Sequence, residues 1–110
     1  MNILVTGGAG YIGSHVVKTL LPDNKVIVLD SLENGHRKAV DRRAIFIKGN
    51  VGDKKILSWI FRRHRIDSVI HFAGYINVGE SVKEPYKYYM NNVSQSLQLL
   101  KAMRDHSTKR

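Results

Sequence analysis

Residues 3–13, Ile3-Leu4-Val5-Thr6-Gly7-Gly8-Ala9-Gly10-Tyr11-Ile12-Gly13, decide the fold. Ile3-Leu4-Val5 is a short, almost fully apolar run, the mark of a strand buried on both faces. Glycines follow at once. Beyond them Ile12, Val16, Val17 and Leu20 recur at helical spacing and predict a helix with these residues inward, stopped at Pro22-Asp23-Asn24. Gly8, Gly10 and Gly13 satisfy G-x-G-x-x-G, while Gly7, Gly10 and Gly13 satisfy G-x-x-G-x-x-G, and the spacing alone admits both registers. Glycine at such a strand-to-helix junction has three uses. The chain turns tightly, a pyrophosphate approaches the backbone without meeting a Cβ, and the helix packs close to the sheet. The helix N-terminus then presents N–H groups and a partial positive charge to phosphates.

Working outward, Val26-Ile27-Val28-Leu29 is a second buried strand ending at Asp30, and Asn34-Gly35 is a turn signal. Ala44–Ile47 is a third strand, broken by Gly49-Asn50. Asp53 is placed to cap a helix with Ile56, Leu57 and Ile60 inward. Asp67–Phe72 is a fourth strand. A last helix starts at Pro85, after a possible capping box at Ser81 and Glu84, with Tyr89, Val93, Leu97, Leu100 and Met103 or Arg104 at helical spacing. Strands alternating with helices predict an α/β fold with right-handed crossovers, the first half of a Rossmann-like doubly wound parallel sheet of about four strands in the order 3-2-1-4. No fifth strand follows the fourth, so its edge is predicted to be exposed and to pair with another chain as a homo-oligomer.

Asp30 lies 17 residues after Gly13, near the roughly 20-residue offset of a ribose-binding acid. Its carboxylate accepts from both ribose hydroxyls and repels a 2′-phosphate, which favours NAD over NADP. Alternatively Asp30 is a turn cap and the glycines only a tight loop. Arg37 is either a solvated side chain or a partner for a 2′-phosphate.

The composition bounds the rest. The 110 residues fit one small domain, and 43% apolar with 25% charged residues argues against general disorder. No apolar run approaches the roughly 18 to 20 residues that span a bilayer, and the first residues read as a strand rather than a signal peptide. Without cysteine there is neither a disulfide nor a thiolate–metal site, which suits the cytoplasm. The net charge of +9 raises nucleic acid as a partner, but the basic residues are scattered in short pairs such as Arg42-Arg43 and Arg62-Arg63.

Two stretches carry a more specific resemblance. One is Val5–His15 with Val28-Leu29-Asp30-Ser31-Leu32. The other is Val69-Ile70-His71-Phe72-Ala73-Gly74, then Val78-Gly79-Glu80-Ser81-Val82, Pro85 and Tyr88-Tyr89-Met90-Asn91-Asn92-Val93. The chain resembles the extended short-chain dehydrogenase/reductases, and among them the UDP-glucose 4-epimerases. The resemblance covers nearly all 110 residues but only about the first third of a typical member.

What the resemblance implies falls on individual residues. Gly7, Gly10, Tyr11, Ile12 and Gly13 match the pyrophosphate loop, Asp30 and Asn34 the surroundings of the adenosine ribose, and Asn50 and Val51 the pair beside the adenine. The family usually has Asp where Asn50 stands, so an amide oxygen remains and the charge is lost. Phe72, Ala73 and Gly74 match the strand end under the cofactor, and Asn91 a helix residue facing it. Val78, Glu80 and Ser81 match the sugar-nucleotide side, while Ile76 replaces a lysine found in some members. Simple structural roles stand beside several of these: Asn91 on an outer helix face, Glu80-Ser81 organising a helix start, and His71 as a packed, hydrogen-bonded histidine rather than a base.

The family implies an NAD-dependent isomerase acting on UDP-hexoses. Hydride leaves C4 of the sugar, the 4-keto sugar turns over, and hydride returns to its other face. A Tyr-x-x-x-Lys pair handles the proton at O4 in family members, the lysine lowering the tyrosine's pKa. Here the residues four after Tyr11, Tyr75, Tyr86, Tyr88 and Tyr89 are His15, Gly79, Met90, Asn92 and Val93. Residues 1–110 are therefore expected to be a truncated NAD-binding Rossmann-like domain, without the catalytic pair or the substrate domain and inactive alone. A sugar-nucleotide 4,6-dehydratase of the same superfamily and a basic nucleic-acid-binding module are the alternatives.

Overall fold

The computed structural model describes residues 1–32, 36–72, 85–106 and 108. Strands β1 (Asn2–Thr6), β2 (Lys25–Asp30), β3 (Ile45–Lys48) and β4 (Ser68–His71) form one sheet in the order β3-β2-β1-β4, all neighbours parallel. Helices α1 (Tyr11–Leu20), α2 (Lys54–His64) and α3 (Pro85–Asp105) alternate with them, and Arg37–Ala39 forms a 3₁₀ turn. The expected strand order and α/β class are those observed.

The apolar runs of β1 and β2 split by alternation into two cores. Ile3, Val5, Val26 and Val28 pack with Ala9, Val17, Val40 and Ala44 on the α1 side. Leu4, Ile27 and Leu29 pack with Val51, Leu57, Ile60, Phe61, Ile66 and Leu99 on the α2/α3 side. Both faces are covered, and this is why the strands read as continuous apolar stretches rather than alternating ones. The Asp53 cap is present: its Oδ1 accepts from the N–H groups of Lys55 at 2.9 Å and Ile56 at 3.3 Å.

Two helix faces differ from expectation. In α1 the buried face is Gly13, Ser14 and Val17, and Ile12 is 64% exposed. Helix phase there is set by the close approach of Gly13 to the loop, so the bulky Ile12 points away. Among the described side chains of α3 the buried one is Leu99, with Ala102 and Met103 packed beside it, while Leu97 and Leu100 are exposed. The helix carries two adjacent apolar stripes, and periodicity does not say which one meets the sheet.

His64, in the last turn of α2, is buried, and its Nδ1 has no hydrogen-bond partner among the described residues. Burial, followed by the charges of Lys25 and Arg63, holds its pKa below the ordinary histidine value. The folded state thus favours neutral imidazole, and the unfolded chain binds the proton more readily. Stability from this site is complete above about pH 6.5 and falls as the pH drops below that value. Urea midpoints are expected to be lower at about pH 5.5 than at about pH 7.5, and His64→Leu is expected to flatten the difference.

Candidate functional site

The glycine loop joins the C-terminal end of β1 to α1, at the point where the chain path reverses between β1 and β4. Gly7 turns the chain with φ 74°, a left-handed value that favours glycine, and its N–H donates to the Leu29 carbonyl at 2.9 Å. The Gly10 N–H donates to the Gly7 carbonyl at 3.2 Å. Asp30 reaches across from the end of β2. One carboxylate oxygen accepts from the Ala9 N–H at 2.9 Å and the other from the Leu32 N–H at 2.7 Å. Asp30 is thus a turn cap and also the brace of the loop. An ionised carboxylate has about four lone-pair sites, so this leaves acceptor capacity for ribose hydroxyls.

The four glycines have different causes. A Cβ on Gly13 would lie 2.3 Å from the Gly7 carbonyl oxygen and 3.0 Å from Gly8 Cα, so helix α1 packs on the loop only through a glycine. A Cβ on Gly8 would lie 2.7 Å from Val28 Cγ1, making Gly8 a core-packing position. Gly10 stands apart. Its φ is −78°, and among the described residues a Cβ there would meet only the Gly7 carbonyl oxygen, at an ordinary 3.5 Å. The described residues do not require glycine at position 10. The structure therefore favours the Gly7–Gly10–Gly13 register, with turn, open approach and close packing in that order and Gly8 added for the core.

Gly10 is also the N-cap of α1, which has no side-chain cap hydrogen bond and no acidic residue in its first turn. Helix α2, by contrast, has its first N–H groups taken by Asp53. An uncapped helix start beside an open glycine is a cradle suited to a pyrophosphate. Tyr11 is 83% exposed at this mouth, with its ring centroid 4.8 Å from that of His15, and Ile12 is beside it. Both offer the mouth their backbone as well as an apolar rim.

Asn50 and Val51 follow β3. The Asn50 Oδ1 accepts from the Gly52 N–H at 2.7 Å, so the amide oxygen is spent partly on its own turn. The Val51 side chain is buried in the α2/α3 core, which leaves only its backbone to meet a base. Phe72 is partly exposed at the end of β4, and its N–H donates to the Thr6 carbonyl at 2.8 Å. Asn91 lies within α3, but its side chain falls outside the description, as do Asn34, Ala73, Gly74, Val78, Glu80 and Ser81 entirely. His71 is hydrogen-bonded on both ring nitrogens, to Thr6 Oγ1 at 2.5 Å and Ser96 Oγ at 3.3 Å, and burial holds its pKa below the ordinary value. Ser96 carried no sequence signal: a lone serine in a helix matches no motif. Among the described residues no group of three or more His, Cys, Asp or Glu is placed to hold a metal ion, and no helix is long and apolar enough to cross a membrane.

Residues 3–110 match the model of the NAD dependent epimerase/dehydratase family. The chain belongs to this family. It is 54% identical over 110 residues to a UDP-glucose 4-epimerase of Lactobacillus helveticus, an alignment covering 99% of this chain and 33% of the relative. Among solved structures it is similar to the Thermotoga maritima UDP-glucose 4-epimerase with UDP-glucose, at TM-score 0.94 and 41% identity over 99% of this chain and 36% of that one. It is also similar to the Thermus thermophilus UDP-glucose 4-epimerase in complex with NAD, at TM-score 0.93 and 38% identity over 99% and 35% of the two chains. The chain spans about a third of the length of the curated relatives it matches. For this member of the epimerase/dehydratase family, a stand-alone basic nucleic-acid module is not favoured.

Proposed function

We propose that this chain is the N-terminal cofactor-binding part of an NAD-dependent UDP-hexose 4-epimerase, cytoplasmic, holding NAD on the loop Gly7–Gly13 and at Asp30. One observation carries the reading: Gly10, which nothing among the described residues forces to be glycine, lies at a helix start without a side-chain cap, within the loop braced by Asp30. The fit is chemical as well as steric. Backbone N–H groups suit the pyrophosphate, and a buried carboxylate suits ribose hydroxyls while disfavouring a 2′-phosphate. Bound NAD supplies the acceptor for hydride from C4 of the sugar. The chain's own residues bind and orient it: Gly10, Tyr11, Ile12 and Gly13 by backbone, Asp30 and Asn34 at the ribose, Asn50 and Val51 at the adenine, and Phe72, Ala73, Gly74 and Asn91 along the cofactor. Val78, Glu80 and Ser81 are assigned to the sugar-nucleotide side.

Residues 1–110 form, on this reading, an NAD-binding Rossmann-like domain that matches about the first third of its relatives. No tyrosine among them is followed four residues later by lysine, so no side chain of the expected pair serves O4. Incubated with UDP-glucose and NAD, the 110-residue chain is expected to form no UDP-galactose above the reagent blank. Turnover by the chain alone would overturn the assignment of catalysis to residues outside it.

Association is a further part of the proposal. β4 stands at one edge of the described sheet, and an open parallel edge invites pairing. Sedimentation velocity of the 110-residue chain is expected to show dimers or larger species that grow with concentration. A monomer independent of concentration would count against the edge as a contact.

A further inference from the structure

His71 occupies a place that neither the glycine loop nor Asp30 accounts for. It is the last residue of β4 and stands in register with Thr6, the last residue of β1. In a parallel pair, registered residues point to the same face. Thr6 shares the α2/α3 face with Leu4, two residues earlier in β1. The bond from Phe72 N–H to the Thr6 carbonyl closes the β1–β4 ladder. Beyond Thr6 the chain leaves β1, because Gly7 turns toward β2 and bonds Leu29. The C-terminal ends of β1 and β4 flank the switch point, the crevice in which doubly wound sheets bind nucleotides.

The imidazole bridges the base of that crevice. Nδ1 meets the Oγ1 of the fully buried Thr6, and Nε2 meets Ser96 Oγ on α3. A neutral imidazole has one donor and one acceptor, and each hydroxyl can take either role, so both nitrogens are satisfied at once. A histidine so engaged is not a free base. It pins β1, β4 and α3 together at Thr6, one residue before the glycine loop begins.

We infer that His71 is a positioning residue of the nucleotide crevice: held to Thr6 through Nδ1 and to Ser96 through Nε2, it fixes where the root of the glycine loop stands relative to α3. Its effect on cofactor affinity rests on the NAD reading above; its effect on the loop does not.

The test compares the intact protein with His71→Leu, His71→Asn and His71→Gln. Asparagine places an amide near the Nδ1 position and glutamine one nearer the Nε2 position. Two readouts are taken: amide hydrogen exchange at Gly7, Ala9 and Gly10 against the core amides of Ile27 and Leu29, and calorimetric titration with NAD. His71→Leu is expected to speed exchange in the loop while the core stays protected, and to weaken NAD about five- to tenfold, the worth of one or two hydrogen bonds. His71→Asn is expected to recover most of both losses, and His71→Gln less. If His71→Leu does not fold, Thr6→Val deletes the other side of the same bond and gives the same readouts. Unchanged loop exchange in the leucine variant would overturn the inference, and so would loop and core losing protection together. If wild-type protein itself fails to bind NAD, the cofactor reading falls, and loop exchange still decides whether His71 positions the loop.

Discussion

Gly10→Ala is expected to remove NAD binding while leaving the fold intact, and Gly13→Ala to damage the fold first. At Gly10 the backbone is extended, and among the described residues the new methyl meets only one carbonyl oxygen, at 3.5 Å. Unfolding free energy should stay within about 1 kcal/mol of wild type, since alanine restricts the unfolded chain but is a poorer N-cap than glycine. The methyl nevertheless stands where a pyrophosphate must approach the backbone. A loss of affinity on the order of 100-fold or more, about 2.7 kcal/mol, is expected by calorimetry. At Gly13 the methyl meets the Gly7 carbonyl oxygen at 2.3 Å, and a backbone atom cannot swing aside as a side-chain tip can. Destabilisation of about 3 kcal/mol is expected by urea unfolding, from the displacement of α1 off the loop. Equal loss of stability in both variants would mean that Gly10 is a folding glycine and that its openness to a ligand has been misjudged.

Asp30→Asn is expected to damage stability and cofactor choice together. Each carboxylate oxygen accepts one backbone N–H, from Ala9 and from Leu32. Asparagine keeps one acceptor and turns an NH₂ group toward the other N–H, so donor faces donor at a buried site. The cost is about 2 kcal/mol, read as a lower urea midpoint. NAD affinity is expected to fall at least tenfold, because the same substitution loosens the loop through Ala9 and removes the ribose acceptor. Discrimination against NADP should shrink, since the repelling charge is gone. If Asp30→Asn unfolds at the wild-type midpoint and keeps full NAD preference, the brace and the ribose site are both elsewhere.

The sheet was legible because its strands are short, nearly pure apolar runs separated by unmistakable breakers. Ile3-Leu4-Val5 and Val26–Leu29 admit little but a buried strand, and the alternation with helices dictates the parallel order. Helix faces were less legible. Ile12 and Leu97 fall on the right period, yet α1 is phased by the glycine contact at Gly13, and α3 has a second apolar stripe that the sheet does not use. The site divides in the same way. The glycines and Asp30 announce themselves because backbone approach and ribose binding demand rare residue types at fixed spacing. Which glycine serves which purpose depends on neighbours distant in sequence, such as Val28 against Gly8, and only the packed chain reveals it. Asn50 and Val51 stand where expected but are partly committed, one to its own turn and the other to the core.

The central claim is that the loop Gly7–Gly13 and Asp30 form a working NAD half-site within these 110 residues. Calorimetric titration of the chain with NAD, with NADP as control, tests it most directly. Saturable binding of NAD at one site, with NADP markedly weaker, is the predicted result. No heat of binding from a chain shown to be folded by circular dichroism, or equal affinity for the two nucleotides, would contradict it.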